Sequence, residues 1–166
     1  MTISMYEASV PVFIRALTNL TAVLKKGAAY ANEKGQNADN LLQQRLIFDM
    51  FPLVKQIQIA CDTAARGTAR MAGEEPKSFP DSEITLAQVY LRIDNTIAYL
   101  RSFKPAQLDG CEDRKVIHKT RAGETVFTGI DYLRQYALPN FFFHCTTAYA
   151  ILRVAGAPVG KRDYLG

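Results

Sequence analysis

The amino-acid sequence predicts an all-α protein, a bundle of four long helices with a small β-hairpin inserted between the third and fourth. Apolar residues recur at intervals of three and four along extended segments, and glycine and proline separate those segments. One short region has β-branched residues on both sides of a turn instead. A chain of 166 residues suffices for one domain with a proper core. We therefore expect residues 1–166 to form a single helical bundle domain.

The first helix has a continuous apolar face typical of lengthwise packing in a bundle. Pro11 is tolerated only in a first turn, which makes Ser9 the expected N-cap. Alternatively, the helix begins near Ser4 and kinks at the proline. It is expected to run to about Glu33 and to end at Gly35 as a C-cap. The apolar face comprises Tyr6, Val10, Phe13, Leu17, Leu20 and Leu24.

A short helical piece, 38–45, precedes the second long helix. Proline disfavours a helical conformation at the residue before it, so the two are expected to separate just before Pro52. Asp49 is positioned to cap the second helix, which spans 52–72. The amide of Gln56 lies either at the edge of the apolar face or inside the bundle. That face comprises Leu53, Ile57, Ala60, Ala64 and Met71.

The third helix is expected to begin at Asp81 or Ser82, where acidic residues suit a helix N-terminus, and to end before Pro105. The connection from the second helix has about ten residues and could span roughly 33 Å when extended. A helix of twenty residues is about 30 Å long. The spacing therefore leaves both a parallel and an antiparallel pair open. The apolar positions are Leu86, Tyr90, Ile93, Ile97 and Leu100.

Residues 105–128 break the helical pattern. The segment KVIHKTRAGETVF has β-branched residues on both sides of Ala122-Gly123, which predicts a hairpin with His118 on its first strand. The tail APVGKRDYLG is expected to form no further element. It could fold back over one end of the bundle, where Asp163 would pair with a basic group.

The last helix carries the best candidate for chemistry. It is expected to begin near Asp131, to be interrupted or kinked at Pro139, and to end at Gly156. His144 is one of two histidines in the chain, and Asn140 lies one turn before it, so both side chains could reach one target.

Three consecutive phenylalanines, Phe141, Phe142 and Phe143, cannot share one face of that helix. Either the core is wide, or one of the rings meets a second subunit. We expect a homodimer.

Composition and charge exclude several classes of protein. The net charge is +4, but the basic residues are dispersed and no nucleic-acid recognition motif is present. No phosphate-binding loop, dinucleotide fingerprint or Ser-His-Asp arrangement occurs. No apolar run is long enough for a membrane span, and the N-terminal residues lack the features of a signal peptide. We therefore expect a cytoplasmic protein with neither a nucleic-acid nor a membrane partner.

The three cysteines follow no metal-binding or redox spacing, and reduced thiols are expected. Cys61 and Cys145 are expected to behave as small apolar core residues. Cys111, in the connection before the hairpin, is expected at the surface.

Three segments, FDMFPLVKQIQIACDTA, LPNFFFHCTTAYAILRVAG and GKRDYLG, resemble an uncharacterised bacterial family, one of the domains of unknown function. That family is similar to the DinB/YfiT-like superfamily of proposed metalloenzymes, and the resemblance covers essentially the whole chain. It implies a DinB-like four-helix bundle with up-down-down-up order. It also implies a metal site, with one histidine on the second helix and an HxxxH pair on the fourth. Some members are thiol-dependent transferases and others are proposed hydrolases.

This chain departs from the superfamily's histidine pattern. His144 matches the second histidine of the pair, because Leu152-Arg153 follows it at i+8 and i+9. Asn140 occupies the place of the first histidine. On the second helix Gln56, or Asp49 just before it, lies where the remaining histidine would be. Neutral amides are poorer ligands for Zn²⁺ or Ni²⁺ than imidazole or thiolate, so the implied metal site is degenerate.

Three roles for His144 therefore stay open. It could be a metal ligand with amide or carboxylate co-ligands, and Zn or Ni would then be the cofactor. It could be a buried histidine that fixes the helix register through a hydrogen bond. It could also be the polar group of a metal-free pocket, with Tyr149 or Tyr90 nearby. The candidate site residues are His144, Asn140, Gln56 and Asp49.

The function expected from these observations is non-catalytic, either small-molecule binding or self-association. The alternative is a metal-dependent hydrolase or thiol transferase that uses His144 with co-ligands other than histidine.

Overall fold

A computed structural model describes residues 4–120 and 123–166, which are mostly helical with one small two-stranded hairpin. A 3-10 helix, Ala38–Gln43, precedes α2, and a π-helical segment, Tyr132–Ala137, joins α5 to α6. The helices are α1 (Val10–Glu33), α2 (Leu53–Ala72), α3 (Leu86–Ser102), α4 (Pro105–Leu108), α5 (Gly129–Asp131), α6 (Leu138–Val154) and α7 (Lys161–Leu165). The antiparallel strands are β1 (Lys115–Thr120) and β2 (Gly123–Thr128), with His118 opposite Thr125.

The four longest helices of the described residues, α1, α2, α3 and α6, enclose one hydrophobic core. The most extensive packing is between α2 and α6. Every residue of the predicted apolar face of α2 is buried, as the 3.6-residue periodicity indicates. Phe13 of α1 packs edge-to-face against Phe141 of α6, with ring centroids 4.8 Å apart. The aromatic residues of the last helix therefore contribute directly to the core.

Helix α1 begins at Val10, with Pro11 in its first turn as predicted. The expected capping by Ser9 is wrong in detail, because its hydroxyl donates a 2.6 Å hydrogen bond to the carbonyl of Met5 instead. The predicted end at Gly35 is confirmed. This glycine has φ = 71°, a left-handed conformation that a side chain would disfavour.

The prediction that Asp49 caps α2 is wrong. Asp49 lies exposed in the loop before the helix, and Pro52 occupies the N-cap position without a side-chain hydrogen bond. The backbone N–H of Leu53 instead donates to the carbonyl of Gln44 at 2.8 Å. Since that carbonyl comes from the end of the 3-10 helix, the chain satisfies the first amide of α2 without a cap.

Helix α3 begins later than predicted, after Thr85 and not at Asp81 or Ser82. The hydroxyl of Thr85 accepts from the backbone N–H of Gln88, and the side chain of Gln88 accepts from the backbone N–H of Thr85. This reciprocal capping box fixes the helix start. The acidic residues that suggested an earlier start bind other partners.

Arg92 of α3 is the centre of a buried charge cluster. Its side chain is only 3% exposed and contacts Asp62 of α2 at 2.5 Å and Glu83 of the preceding linker at 3.1 Å. It also donates to the carbonyl of Pro80 at 3.0 Å. Arg92 therefore helps to hold the linker 73–85 against α2 and α3.

The interruption predicted near Pro139 is confirmed. The π-helical segment ends at Ala137 and runs directly into α6, so the local change in helical pitch comes just before Pro139, which has no N–H for a helical hydrogen bond. The predicted end at Gly156 is confirmed as well, with φ = 89° at that residue. The helical conformation begins slightly before the predicted Asp131, at Gly129.

The expectation that the tail forms no further element is wrong, because Lys161–Leu165 forms α7. The predicted fold-back is confirmed, with Asp163 paired to Lys26 of α1. The hydroxyls of Tyr164 and Thr146 also lie 2.9 Å apart. These long-range contacts stabilise a helix that is too short to form alone.

All three cysteines are free and buried. For Cys61 and Cys145 this confirms the prediction, whereas the predicted surface position of Cys111 is wrong. A Cβ on Gly129 would lie 2.1 Å from the carbonyl oxygen of Cys111, so the two backbones are in close contact.

No helix among the described residues is long and apolar enough to cross a membrane. Ala122, predicted in the hairpin turn, and the first three residues of the chain lie outside the described residues.

Candidate functional site

The structure brings His144 of α6 together with Gln56 of α2. The Nδ1 atom of His144 lies 2.7 Å from Oε1 of Gln56. Gln56 is buried and His144 is only 8% exposed. This contact joins the two most extensively packed helices, and it connects two of the residues that the sequence predicts for the site.

The hydrogen-bond network fixes the orientation of both side chains. The Nε2 amide group of Gln56 donates to the backbone carbonyl of Phe51 at 3.0 Å. Its Oε1 atom therefore faces His144, and a carbonyl oxygen can only accept. Nδ1 of His144 must then carry the proton, which leaves Nε2 as the unprotonated nitrogen of the neutral ring.

The Nε2 atom of His144 is the free functional group of this site. It has no hydrogen-bond partner within the described residues, and it is not fully buried. Burial lowers the pKa of His144 from 6.5 to about 4, because a charged imidazolium would lose its hydration. At neutral pH this nitrogen is a hydrogen-bond acceptor.

Asn140 does not share a target with His144, although the i and i+4 spacing predicted this. Its side-chain amide donates to Oγ1 of Thr63 at 2.8 Å. Gln56 therefore pairs with His144, and Thr63 pairs with Asn140. Along α2 Gln56 comes before Thr63, whereas along α6 His144 comes after Asn140. The two helices run antiparallel, and each polar residue of α6 has its own partner on α2.

The other predicted neighbours of His144 lie elsewhere. Asp49 is exposed in the loop before α2. The ring of Tyr90 lies 5.7 Å from the ammonium nitrogen of Lys25, and the hydroxyl of Tyr149 is 3.5 Å from the carbonyl of Val159. None of these side chains contributes a polar group to the hydrogen-bond network of His144.

Exposed aromatic residues neighbour the His144–Gln56 pair in the chain or in space. The ring of Phe143 packs edge-on against His144, with centroids 5.2 Å apart, and is 55% exposed. Phe143 and Leu46 border a shallow depression of about 420 Å³. Phe51, whose carbonyl orients Gln56, is 56% exposed. The ring of Phe143 thus lies between His144 and this depression, whose lining also includes Thr146 and Thr147.

The donor set at His144 does not fit a transition metal. Nε2 is one suitable ligand atom, but Oε1 of Gln56 already accepts the Nδ1 proton. The amide of Asn140 faces Thr63. Among residues 4–120 and 123–166, no group of three or more His, Cys, Asp and Glu side chains could hold a metal ion. Zn²⁺ and Ni²⁺ sites in proteins require several imidazole, thiolate or carboxylate ligands, and the described residues do not provide such a group at His144.

The second histidine cannot complete such a site. His118 of β1 is 9% exposed, and its ring packs on Tyr136 with centroids 4.1 Å apart. Neither ring nitrogen has a hydrogen-bond partner in the described part of the chain. Burial, and then the nearby charge of Arg70, lower its pKa. It belongs to an aromatic cluster between the hairpin and the π-helical segment.

Sequence reasoning missed Thr63 and the carbonyl of Phe51. Thr63 could have been found, because it lies two helical turns after Gln56 on the same face of α2. The role of Phe51 could not have been predicted, because its contact uses a backbone carbonyl in an irregular loop. The burial of Arg92 could also have been predicted, because this residue interrupts an apolar helical face between Val89 and Ile93.

Comparisons with known proteins identify a family and a solved structure of similar fold. A family described as a domain of unknown function, DUF1993, matches residues 5–165. A DinB family member protein from Shewanella denitrificans has a crystal structure that superimposes with a TM-score of 0.89. The two chains are 40% identical, and the match covers 97% of this chain and 91% of the other. No curated protein matches the chain.

Proposed function

This chain belongs to the DUF1993 family, and we propose that it is a DinB-like four-helix bundle whose metal position has become a metal-free binding site for a small molecule. The protein is non-catalytic in this proposal. His144 recognises the ligand, Gln56 positions His144, and the exposed apolar residues around them contact the ligand's apolar part. The alternative, a metal-dependent hydrolase or thiol transferase, has no observation in its favour among the described residues.

The contacts of the linker 73–85 support the up-down-down-up order of the proposed bundle. Asp81 pairs with Lys55, near the start of α2, at 2.5 Å. Glu83 accepts from Gln58, one turn further, at 2.8 Å. Because α3 begins just after these residues, both helices start at the same end of the molecule. The two helices are therefore parallel, as the up-down-down-up order requires.

The accessible Nε2 of His144 is the observation that carries the binding proposal. Its neighbour Nδ1 is bonded to Gln56, so the ring cannot turn without breaking a buried hydrogen bond. A neutral imidazole that is held in one tautomer selects a ligand with a hydrogen-bond donor. The apolar side chains of Phe51 and Phe143 select an apolar or aromatic body. We therefore propose a neutral aromatic molecule with one donor group as the ligand class.

Phenol and anisole are a matched pair of probes for this proposal. Only phenol has a donor for Nε2, whereas both rings can contact the phenylalanines. In an NMR titration, phenol is expected to shift the ring resonances of His144 saturably, with a dissociation constant at least tenfold lower than that of anisole. The variant His144→Phe, whose ring has no acceptor atom, should lose this preference. Equal binding of both probes, or shifts remote from His144, would exclude the proposed site.

Self-association is a second proposed function, and the loop before α2 favours it. Phe48 is 84% exposed and lies between Ile47 and Phe51, which are also exposed. Phe143 of α6 borders one depression together with Leu46, which directly precedes Ile47 in this loop. Isolated apolar residues on a surface need no explanation, but a contiguous set of this kind indicates an interface. We propose that a second copy of the chain covers it in a homodimer.

Sedimentation equilibrium tests the proposed dimer. Phe48→Ser is expected to raise the dimer dissociation constant at least tenfold. Val126→Ser, an exposed apolar residue on the hairpin, serves as the matched control and should leave it unchanged. A monomeric wild type, or equal effects of the two substitutions, would contradict the interface. We also propose a cytoplasmic location, because three free buried thiols suit a reducing compartment.

A further inference from the structure

A second cavity lies away from His144, between α1, α6 and α7. Its volume is about 330 Å³, at the lower end of the range for small-molecule sites. The apolar lining includes Val12 and Leu20 of α1, Phe142 of α6 and Leu165 of α7. We refer to it as the tail cleft, because α7 forms one of its walls.

Helix α7 is held at its edges and does not fill the space beneath it. None of its residues is buried. Arg15 donates to the carbonyl of Leu165 at 2.9 Å, and Asn19 donates to the carbonyl of Tyr164 at 3.2 Å. Polar contacts thus keep α7 in place while an apolar volume stays open under it. Unfilled apolar space weakens packing, and a ligand that occupies it would restore the missing contacts.

The charge at the rim of the tail cleft indicates the polar end of such a ligand. Arg15 is exposed and forms no ion pair with an acidic side chain of the described residues. One of its terminal nitrogens binds the carbonyl of Leu165, which leaves the rest of the guanidinium available. No Asp or Glu lines the cleft. A carboxylate matches this guanidinium in both charge and geometry.

We propose that the tail cleft binds a small amphiphilic monocarboxylate. The carboxylate lies against Arg15, and the apolar chain lies along Val12, Leu20 and Phe142. This site is separate from the proposed His144 site, because His144 does not line the cleft. Either site can therefore exist without the other.

Octanoate and 1-octanol test this proposal as probes with the same apolar chain. Binding is followed by NMR of the methyl groups of Leu20 and Leu165 in the full chain. Octanoate is expected to shift these resonances saturably, and Arg15→Gln should weaken octanoate binding at least tenfold while leaving 1-octanol unchanged. Arg101→Gln, an exposed arginine on α3, is the matched control and should have no effect.

Ala16→Trp tests the volume of the cleft, because Ala16 lines it and a large ring would fill it. This variant should bind neither probe, with circular dichroism showing an unchanged helical signal. If it fails to fold, the comparison of Arg15→Gln with Arg101→Gln decides the question. No saturable shift in the wild type, equal octanoate binding by both arginine variants, or full binding by folded Ala16→Trp would overturn the proposal.

Discussion

Nδ1 of His144 lies 2.7 Å from Oε1 of Gln56, in a hydrogen bond between α6 and α2. The partner of Gln56 on its other side is the carbonyl of Phe51. Three groups from two helices and one loop therefore set the protonation of a single imidazole. This relationship distinguishes the site from a metal centre, because it uses the amide oxygen as an acceptor and not as a ligand.

The first prediction concerns the protonation state of His144. Long-range ¹⁵N NMR is expected to show a proton on Nδ1 and none on Nε2 at neutral pH. The pKa should be about 4, because burial disfavours the imidazolium. A pKa near 6.5, or a proton on Nε2, would contradict the network.

The lowered pKa has a consequence for stability. The unfolded chain protonates its histidine near pH 6.5, whereas the folded chain does so only near pH 4. The free energy of unfolding should therefore fall as the pH falls through this window, by up to about 3 kcal/mol from His144. Urea unfolding of wild type and His144→Gln at pH 7 and pH 4.5 measures the difference. Equal pH dependence in the two proteins would contradict the assignment.

The second prediction concerns the coupling between Gln56 and His144. Gln56→Leu removes the acceptor and leaves a buried N–H without a partner, which should cost about 1–3 kcal/mol in the free energy of unfolding. His144→Leu should cost a similar amount for the same reason. The double variant is expected to be less destabilised than the sum of the two, because neither polar group remains. Strict additivity in urea unfolding would show that the hydrogen bond contributes nothing.

The third prediction concerns Arg92. Arg92→Met leaves the carboxylates of Asp62 and Glu83 without their buried counter-charge, which should cost about 3–5 kcal/mol at pH 7. Burial already raises the pKa of Asp62 against the lowering effects of Arg66 and Arg92. Without Arg92 that pKa should rise further, so the folded variant binds protons more readily than the unfolded chain. Its deficit in stability should therefore shrink as the pH falls toward 5.

The matched control for Arg92 is Arg101→Met at an exposed position of the same helix. It should change the free energy of unfolding by no more than about 0.5 kcal/mol. Equal effects of the two substitutions, measured by urea unfolding at several pH values, would show that the buried cluster does not fix the linker.

The fourth prediction compares two glycines. A Cβ at position 129 would lie 2.1 Å from the carbonyl oxygen of Cys111, so Gly129→Ala should force the backbones apart and cost at least about 1–3 kcal/mol. A Cβ at Gly67 would meet its nearest neighbour, the Cβ of Ala137, at an ordinary 3.6 Å. Gly67→Ala should stabilise α2 by about 0.5–1 kcal/mol. Thermal unfolding of both variants measures the contrast, and the same sign for both would contradict the backbone contact.

Helix periodicity made much of the fold predictable from the sequence. The buried face of α2 and the interruption at Pro139 follow from local rules of side-chain spacing and proline geometry. The start of α3 could not be predicted in this way. Asp81 and Glu83 bind side chains of α2 and α3 and do not cap the N-terminus of α3. Helix α7 was missed since contacts with α1 and α6 stabilise it, and no local pattern encodes them.

The helices that carry the candidate residues were more predictable than the contacts of those residues. Gln56 and His144 were both proposed as pocket candidates, and the structure places them in one hydrogen bond. Helical spacing placed Asn140 on the side of His144, but the choice of Thr63 as its partner depends on how α2 packs against α6. Asp49 was expected to act through a local cap that the irregular loop does not form.

Metal content by mass spectrometry of tag-free wild type and His144→Ala tests the central claim most directly. Each protein is incubated with excess Zn²⁺ or Ni²⁺ and then freed of unbound metal. A metal-free binding site predicts far less than one metal ion per chain in both proteins. Near-stoichiometric metal in the wild type that is lost in His144→Ala would contradict the account and restore the metalloenzyme interpretation.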